Sequence, residues 1–311
     1  MHAHVHGAHG NTGRVLRVSL LVTLAYIVLL VVAGIRAHSL ALLSEAGHNV
    51  SDLLALVLSL IAVYLEQRPP SMTKTFGYRR AGVLAAFINA LTLVAVAFYI
   101  FYEAARRLIT PVEVHADLMV AVAAAGVVMN GVIAVLLYRG RSDLNIRSAF
   151  VHELGDTLST AAVIVGGWVI LGTGQNWIDP ALSFGIGAMI LWSSFGIIRE
   201  TLNILLEGTP RGMALAKVED EIRAIPGVND VHDLHVWSLG SEQHALSCHI
   251  SIADIPPSAS EAILRQVQQV LATKFHIHHT TIQFEHVICD VAHGCVVIPT
   301  QTLSEPHEHE A

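Results

Sequence analysis

Over the first two thirds of the chain, apolar residues run on without regular alternation. Six stretches are long and oily: residues 15–37, 39–65, 81–108, 118–138, 146–171 and 177–206. Roughly 20 helical residues cross about 30 Å of hydrocarbon, so each stretch predicts a membrane-spanning helix. After Glu207 charges return and the pattern shortens. Residues 214–224 have helical composition, 228–239 and 243–252 have period-two strand stretches, 259–275 is an amphipathic helix, and 280–287 is a further strand. Pro226-Gly227, Gly240-Ser241 and Pro256-Pro257 punctuate them. The expected architecture is a membrane α-helical bundle of six transmembrane helices over residues 14–206, followed by a cytoplasmic α+β domain over 207–298. Its order is α-β-β-α-β, with two helices covering one sheet face. Residues 1–13 and 299–311 are His-rich, polar tails expected to be disordered. There is no repeat of fixed period.

Charge sets the orientation. An even number of spans puts both termini on one side. Arg and Lys crowd the flanks on that side, from Arg14 and Arg17 through Arg79 and Arg80 to Arg211, whereas only Arg36, Arg106 and Arg107 lie on the other. The positive-inside rule then places both termini in the cytoplasm, in a bacterial cytoplasmic membrane. The first span has full length and no small-residue cleavage pattern, unlike a signal peptide. Charged residues are 14% of the 311 and apolar residues 53%, against about a quarter charged in soluble domains; the lipid bilayer is the expected environment. A formal charge of −7 speaks against nucleic acid as a partner. Three cysteines do not make a disulfide scaffold, and in a reducing compartment they are free thiols or metal ligands. The histidines number 19, four of them in the first nine residues and eleven from position 232 onward. That clustering points to borderline transition metals.

Polar groups inside the spans carry the chemistry. His48 and Asp52 lie four apart in the second span, and His152 and Asp156 repeat the spacing in the fifth. Residues i and i+4 share a helix face. Two such helices facing each other supply two nitrogens and two oxygens, a set that suits tetrahedral Zn²⁺. A charged side chain at mid-bilayer costs roughly 2.5–3.5 kcal/mol, and no Lys or Arg within the cores of these spans offsets it. A divalent cation neutralises both carboxylates. Without metal the pocket carries charge −2, which protons on the histidines or carboxylates remove. Since ligands bind metal deprotonated, the expected chemistry is metal–proton exchange. Glu45 and Glu153 adjoin the pairs but are expected off the shared stripe, and Asn89 and Asn130 are expected to bond neighbouring helices. The competing reading is a membrane metalloenzyme with a His/Asp zinc centre. Catalytic zinc keeps an open position, whereas four protein ligands close the site, and the spacing is not His-Glu-x-x-His.

These segments resemble the cation diffusion facilitator family, especially its bacterial zinc-exporting (zinc/cobalt/cadmium) branch. The resemblance runs through Ser39-Leu40-Ala41-Leu42-Leu43, Thr75-Phe76-Gly77-Tyr78-Arg79-Arg80, Asn145-Ile146-Arg147 and Asn203-Ile204-Leu205-Leu206-Glu207-Gly208. It continues in Val231-His232-Asp233-Leu234-His235-Val236-Trp237 and Thr280-Thr281-Ile282-Gln283-Phe284-Glu285. It implies a homodimeric antiporter that exports Zn²⁺, with Cd²⁺ or Co²⁺ as further ions, against protons by alternating access, and no enzyme activity. The transport ligands implied are His48, Asp52, His152 and Asp156. The soluble part resembles the family's metallochaperone-like dimerisation domain, whose ligands map to His232, His249, His278 and Glu285; the adjacent His279 is the alternative to His278, which alignment of the following Thr-Ile-Gln favours. Period-two alternation puts His249 opposite Cys248 and Ile250, and Glu285 opposite Ile282 and Phe284; His232 shares parity with Leu234 and Val236, which leaves its direction open. Cys248 is expected in the core. Cys289 and Cys295, with His293 between them, have ligand-like spacing. Residues 67–80 contain no His, Asp, Glu or Cys, so the extra loop site of some relatives is not expected.

Overall fold

The computed structural model describes residues 9–138, 144–240 and 243–286; within its helices the side chains of residues 9–21, 136–137, 144–149 and 152 are not described. The chain divides into two units, residues 1–61 with 85–199, and residues 62–84 with 200–311.

The first unit is helical. It contains α1 (His9–Arg36), most of α2 (Leu40–Glu66) and α3 (Ala81–Ile109), α4 (Ala116–Tyr138), α5 (Leu144–Thr173) and most of α6 (Ile178–Leu205). Five helices, α2 to α6, contain segments long and apolar enough to cross a membrane, and α1 adds a shorter apolar run, Val22–Arg36, among the described residues. Large apolar side chains such as Ile35, Leu60, Phe98, Trp168 and Trp192 face outward, as they do where lipid replaces water. The interior is built from small residues: Ala33, Ala37, Ala41, Ala46, Ala97 and Ala123 are buried among Leu30, Leu93, Met119 and Val163. Small side chains let helix backbones approach closely where lipid offers no hydrophobic drive. Gly166 and Gly167 of α5 show the tightness of this packing. A Cβ at the first would lie 2.1 Å from Leu182 Cδ1 on α6, and at the second 2.5 Å from Val120 Cγ2 on α4.

The start of α2 is fixed from a distance. Ser39 Oγ accepts from Leu42 N–H, an N-cap bond, and donates to Asp179 Oδ1 at 2.6 Å. Asp179, in the first turn of α6, also accepts from the N–H groups of Leu40 (2.7 Å) and Ala41 (3.1 Å). The first two amides of α2 and the Ser39 hydroxyl are thereby satisfied by a carboxylate 138–140 residues away, and the third amide by Ser39 itself. That carboxylate also sits at the positive end of the helix dipole.

The second unit holds a three-stranded sheet of order β1-β2-β3: β1 (Val228–Ser238), β2 (His244–Ile252) and β3 (Ile277–Glu285). β1 and β2 are antiparallel; β2 and β3 are parallel, joined through α8 (Pro257–Phe275), the long crossover that a parallel pair requires. Helices α7 (Leu215–Arg223) and α8 supply Val218, Ile222, Ile263, Val267 and Leu271 to a core with Leu246, Cys248, Ile250 and Ile252 of β2. The element order is α7-β1-β2-α8-β3. Two element starts in this unit differ from the sequence pattern by two residues or more. Pro257 takes the first helical position of α8, where a missing N–H costs nothing. β3 starts at Ile277, not 280, because His276 ends α8 in the left-handed conformation (φ 55°) and turns the chain directly into the strand.

Candidate metal centre

The His-x-x-x-Asp spacing does what helical geometry demands. On α2, His48 and Asp52 face the same way, with Nε2 of His48 3.5 Å from Asp52 Oδ2. The same nitrogen lies 3.1 Å from Asp156 Oδ1 on α5. One imidazole therefore stands between two carboxylates from two helices, and the ligand atoms of His48, Asp52 and Asp156 all lie within 4.8 Å of one another. Zinc bonds of about 2.1 Å in a tetrahedron put neighbouring ligand atoms ~3.4 Å apart, and the two measured separations bracket that edge. His48 and Asp156 are mostly buried, whereas Asp52 is 40% exposed and forms the accessible wall. The side chain of His152 lies outside the described set; its backbone continues α5 one turn before Asp156.

Around this cluster the polar residues of α2 and α3 are tied to one another. Ser51 Oγ donates to Asn89 Oδ1 at 3.1 Å, joining the two helices, and Asn130 of α4 is buried. Glu45 does not turn away from the stripe. It is 1% exposed and accepts a hydrogen bond from Thr160 Oγ1 of α5 at 2.7 Å. The step of three from Glu45 to His48 is, like a step of four, a same-face spacing. Thr160, four residues beyond Asp156, extends the 152–156 spacing by another turn, a signal present in the sequence but unused in reading it.

In the second unit, His232, His249 and Glu285 form another group with ligand atoms within 4.8 Å. They come from β1, β2 and β3. Glu285 Oε2 lies 3.1 Å from His232 Nε2 and its Oε1 lies 3.0 Å from His249 Nδ1. Gln283 Nε2 donates to Glu285 Oε1 and holds the carboxylate from its own strand. The two imidazoles meet edge to face at 5.5 Å. Two nitrogens and a carboxylate fit Zn²⁺ with a position left over.

His232 reaches this face because β1 is bulged. It pairs with His249, and the register slips between His232 and His235 where Asp233 adopts φ 50°. The extra residue reverses the parity that groups His232 with Leu234 and Val236. Val236 and Val231 are buried in the core, and His232 points the other way. Asp233 Oδ1 accepts from His235 Nε2 at 3.0 Å, and its Oδ2 lies 3.9 Å from His249 Nε2.

His278 is not in the group. The pairing jumps from His244↔Ile277 to Ala245↔His279, so His278 is the residue skipped, and it is exposed. It lines a cavity of about 580 Å³ with Thr75, Phe76, Arg79, His244 and His279. Cys248, one residue before His249, is 2% exposed within the core. Burial, with Asp233 adding negative charge, pushes its thiol up to about 12. Cys289, His293 and Cys295 lie outside the described residues.

Comparison with known proteins is consistent over both units. A cation efflux transmembrane domain matches residues 16–206, and a cation efflux protein cytoplasmic domain matches residues 210–287. The chain is 39% identical over 290 residues to the metal cation efflux system protein CzcD of Cupriavidus metallidurans, covering 93% of this chain and 92% of that one. It is 37% identical over 295 residues to the zinc transporter ZitB of Pectobacterium atrosepticum, with 94% and 91% covered. It is 35% identical over 312 residues to a cadmium, cobalt and zinc/H(+)-K(+) antiporter of Bacillus velezensis, with 99% and 98% covered. Among solved structures, the metal-bound C-terminal domain of CzcD from Cupriavidus metallidurans is 44% identical, spanning 24% of this chain and 99% of its own at a TM-score of 0.22.

Proposed function

The chain belongs to the cation efflux (cation diffusion facilitator) family, and from that premise we propose that it is a homodimeric exporter of Zn²⁺, with Cd²⁺ and Co²⁺ as further substrates, that exchanges metal for protons. The observation that carries this reading is His48 Nε2 standing 3.1 Å from Asp156 Oδ1 and 3.5 Å from Asp52 Oδ2 inside apolar helices. Such a group of carboxylates is expensive in a membrane unless a cation or protons neutralise it.

His152 is the fourth ligand in this proposal. Contacts 45–160 and 48–156 step in opposite directions along α2 and α5, and the next step sets position 152 at the level of Asp52. Two imidazoles and two carboxylates around Zn²⁺ have net charge near zero. When the ion leaves, protons take its place, on the ligands themselves, and their departure resets the site for metal. α1 acts as the sixth span, which puts both termini in the cytoplasm by the distribution of Arg and Lys. Substrate then enters from the side bearing the cytoplasmic domain and leaves on the other as the helices rock around a fixed site.

The group His232, His249 and Glu285 binds metal on the cytoplasmic domain, where bound cation neutralises Glu285 and ties three strands together. Its role is regulatory or stabilising, since nothing in its placement requires it to lie on the ion path.

The test is purified protein in proteoliposomes carrying an internal pH dye. Zn²⁺ gradients should drive counter-movement of protons in the parent and none in Asp156→Ala. Zinc flux indifferent to an imposed pH gradient, or proton movement surviving in Asp156→Ala, would refute the exchange mechanism.

A further inference from the structure

Glu45 and Thr160 lie outside the group formed by His48, Asp52 and Asp156, yet they are among the most deeply buried polar residues of the helical unit, each 1% exposed. Glu45 lies three residues before His48 on α2, and Thr160 four after Asp156 on α5. Thr160 Oγ1 is 2.7 Å from Glu45 Oε1 and 2.8 Å from the backbone oxygen of Asp156. The hydroxyl thus touches both the carboxylate of one helix and the turn that displays a ligand on the other. Asn49 Nδ2 donates to the Glu45 carbonyl at 2.8 Å and occupies the same turn of α2.

The consequence is mechanical. Two cross-helix contacts at successive levels, Glu45 with Thr160 and His48 with Asp156, define both the distance and the stagger of α2 against α5. The second contact is replaced when metal enters, because the ligand atoms then bond the ion. The first remains. It ties together the two turns that carry His48 and Asp156, whose facing atoms stand 3.1 Å apart, close to the edge of a zinc tetrahedron. Selectivity among divalent ions of similar affinity is set by the geometry of the site. Cd²⁺ is larger than Zn²⁺ and forms longer bonds, so a rigid short separation disfavours it.

We propose that Glu45 and Thr160 form a clasp between α2 and α5 that positions the two His-x-x-x-Asp pairs and sets the preference of the transport site for Zn²⁺ over Cd²⁺. This rests on the metal-transport reading and adds a specificity-determining pair to it.

The experiment measures initial uptake of Zn²⁺ and Cd²⁺ over a concentration series in proteoliposomes, with metal binding to the detergent-purified protein followed by calorimetry. Thr160→Val removes the hydroxyl at equal volume. It should raise KM for Zn²⁺ on the order of tenfold, the effect of one lost hydrogen bond to a charged group, while KM for Cd²⁺ changes less than about threefold. Thr160→Ser should restore the parent's Zn²⁺:Cd²⁺ ratio. Glu45→Ala should mimic Thr160→Val, and the double variant should be no worse than either, because both break one contact. An unchanged ratio in Thr160→Val overturns the clasp, as do equal losses for both ions without rescue by Ser and additive effects in the double variant. If calorimetry detects weakened Zn²⁺ binding but unchanged Cd²⁺ binding where transport is too low to measure, the clasp stands. Absence of uptake by the parent itself would instead refute the transport reading.

Discussion

Replacing Asp179 with Ala tests whether the start of α2 is held by a carboxylate from α6. Asp179 is fully buried and accepts from Ser39 Oγ and from the amides of Leu40 and Ala41. Arg107, whose Nη1 is 3.8 Å away, supplies the compensating charge and is itself held by Glu103. Alanine leaves two backbone amides and one hydroxyl unpaired in a site that water does not reach. Each buried donor left without an acceptor costs roughly 1–3 kcal/mol. Arg107 retains Glu103 and the His38 carbonyl as partners, so its charge is not stranded. Partial relaxation of α2 lowers the sum, and a net loss of about 3–5 kcal/mol follows, as for other buried pairs broken on one side. At roughly 2–4 °C per kcal/mol for a chain of this order of size, the midpoint of thermal unfolding should fall by about 10 °C. Asparagine should fare little better, because its amide nitrogen would face donors. Ser39→Ala loses mainly an N-cap and should cost about 1 kcal/mol. The assay is the fraction of monodisperse protein after heating in detergent, read by fluorescence-detected size exclusion. A midpoint for Asp179→Ala within about 2 °C of the parent would show that the start of α2 does not depend on this carboxylate.

Tyr26 Oη is buried without a hydrogen-bond partner among the described residues, and a Cβ on Gly126 would lie 1.9 Å from it. Tyr26→Phe should therefore raise the unfolding midpoint by a few degrees, Gly126→Ala should lower it, and the pair should recover part of the loss; a destabilised Tyr26→Phe would contradict this. With Cys289 and Cys295 replaced by Ser, the remaining Cys248 should resist a maleimide at neutral pH until the protein is unfolded, because burial pushes its thiol up to about 12; rapid native labelling would show that the sheet core opens. Desolvation, aided by His276, lowers the affinity of His244 for its proton. The unfolded chain then binds that proton more readily, so the contribution of His244 is unfavourable below its unfolded value near 6.5 and vanishes as pH rises above it. His244→Gln, assayed with chelator present, should flatten the loss of stability on acidification from pH 7.5 to 5.5; an unaltered slope would refute it. In protein carrying Asp52→Ala, which removes one proposed transport ligand, Zn²⁺ should raise the unfolding midpoint and Glu285→Gln should abolish that rise; a rise that survives Glu285→Gln would refute binding at His232, His249 and Glu285.

Hydropathy alone was enough to find the long apolar segments of α2 to α6, because lipid imposes a minimum length that chance rarely meets; for the first of the six expected spans the described residues give only the shorter apolar run Val22–Arg36. The spacing of His48 and Asp52 was equally legible, since a helix converts a step of four into adjacency whatever surrounds it. Face assignment on the strands was legible only where the strands are regular. His249 and Glu285 follow period two from neighbours that are buried, and the structure brings them to one carboxylate contact. His232 and His278 each lie at a register slip, and one residue out of phase exchanges the faces of everything beyond it. Two histidines that a strict alternation would treat alike therefore end apart, His232 against Glu285 and His278 in a cavity beside Arg79.

The bulge at Asp233 explains why such slips are hard to see from composition and why they persist. Neither Asp233 nor its neighbours include a glycine, yet Asp233 holds φ 50°, a conformation that costs an ordinary side chain roughly 1 kcal/mol or more. Asp is among the few residues that tolerate it, and here the carboxylate bonds His235 at 3.0 Å. The strain is local, whereas its product is long-range: it turns His232 out of the core and onto Glu285, 53 residues away. Straightening the strand would return His232 to the face of Val236, bury an imidazole against the apolar core without a partner, and leave Glu285 with one histidine in place of two. The energy stored at one backbone position is thus offset by the polar contacts it makes possible, and the three-residue group exists because the strand is irregular there.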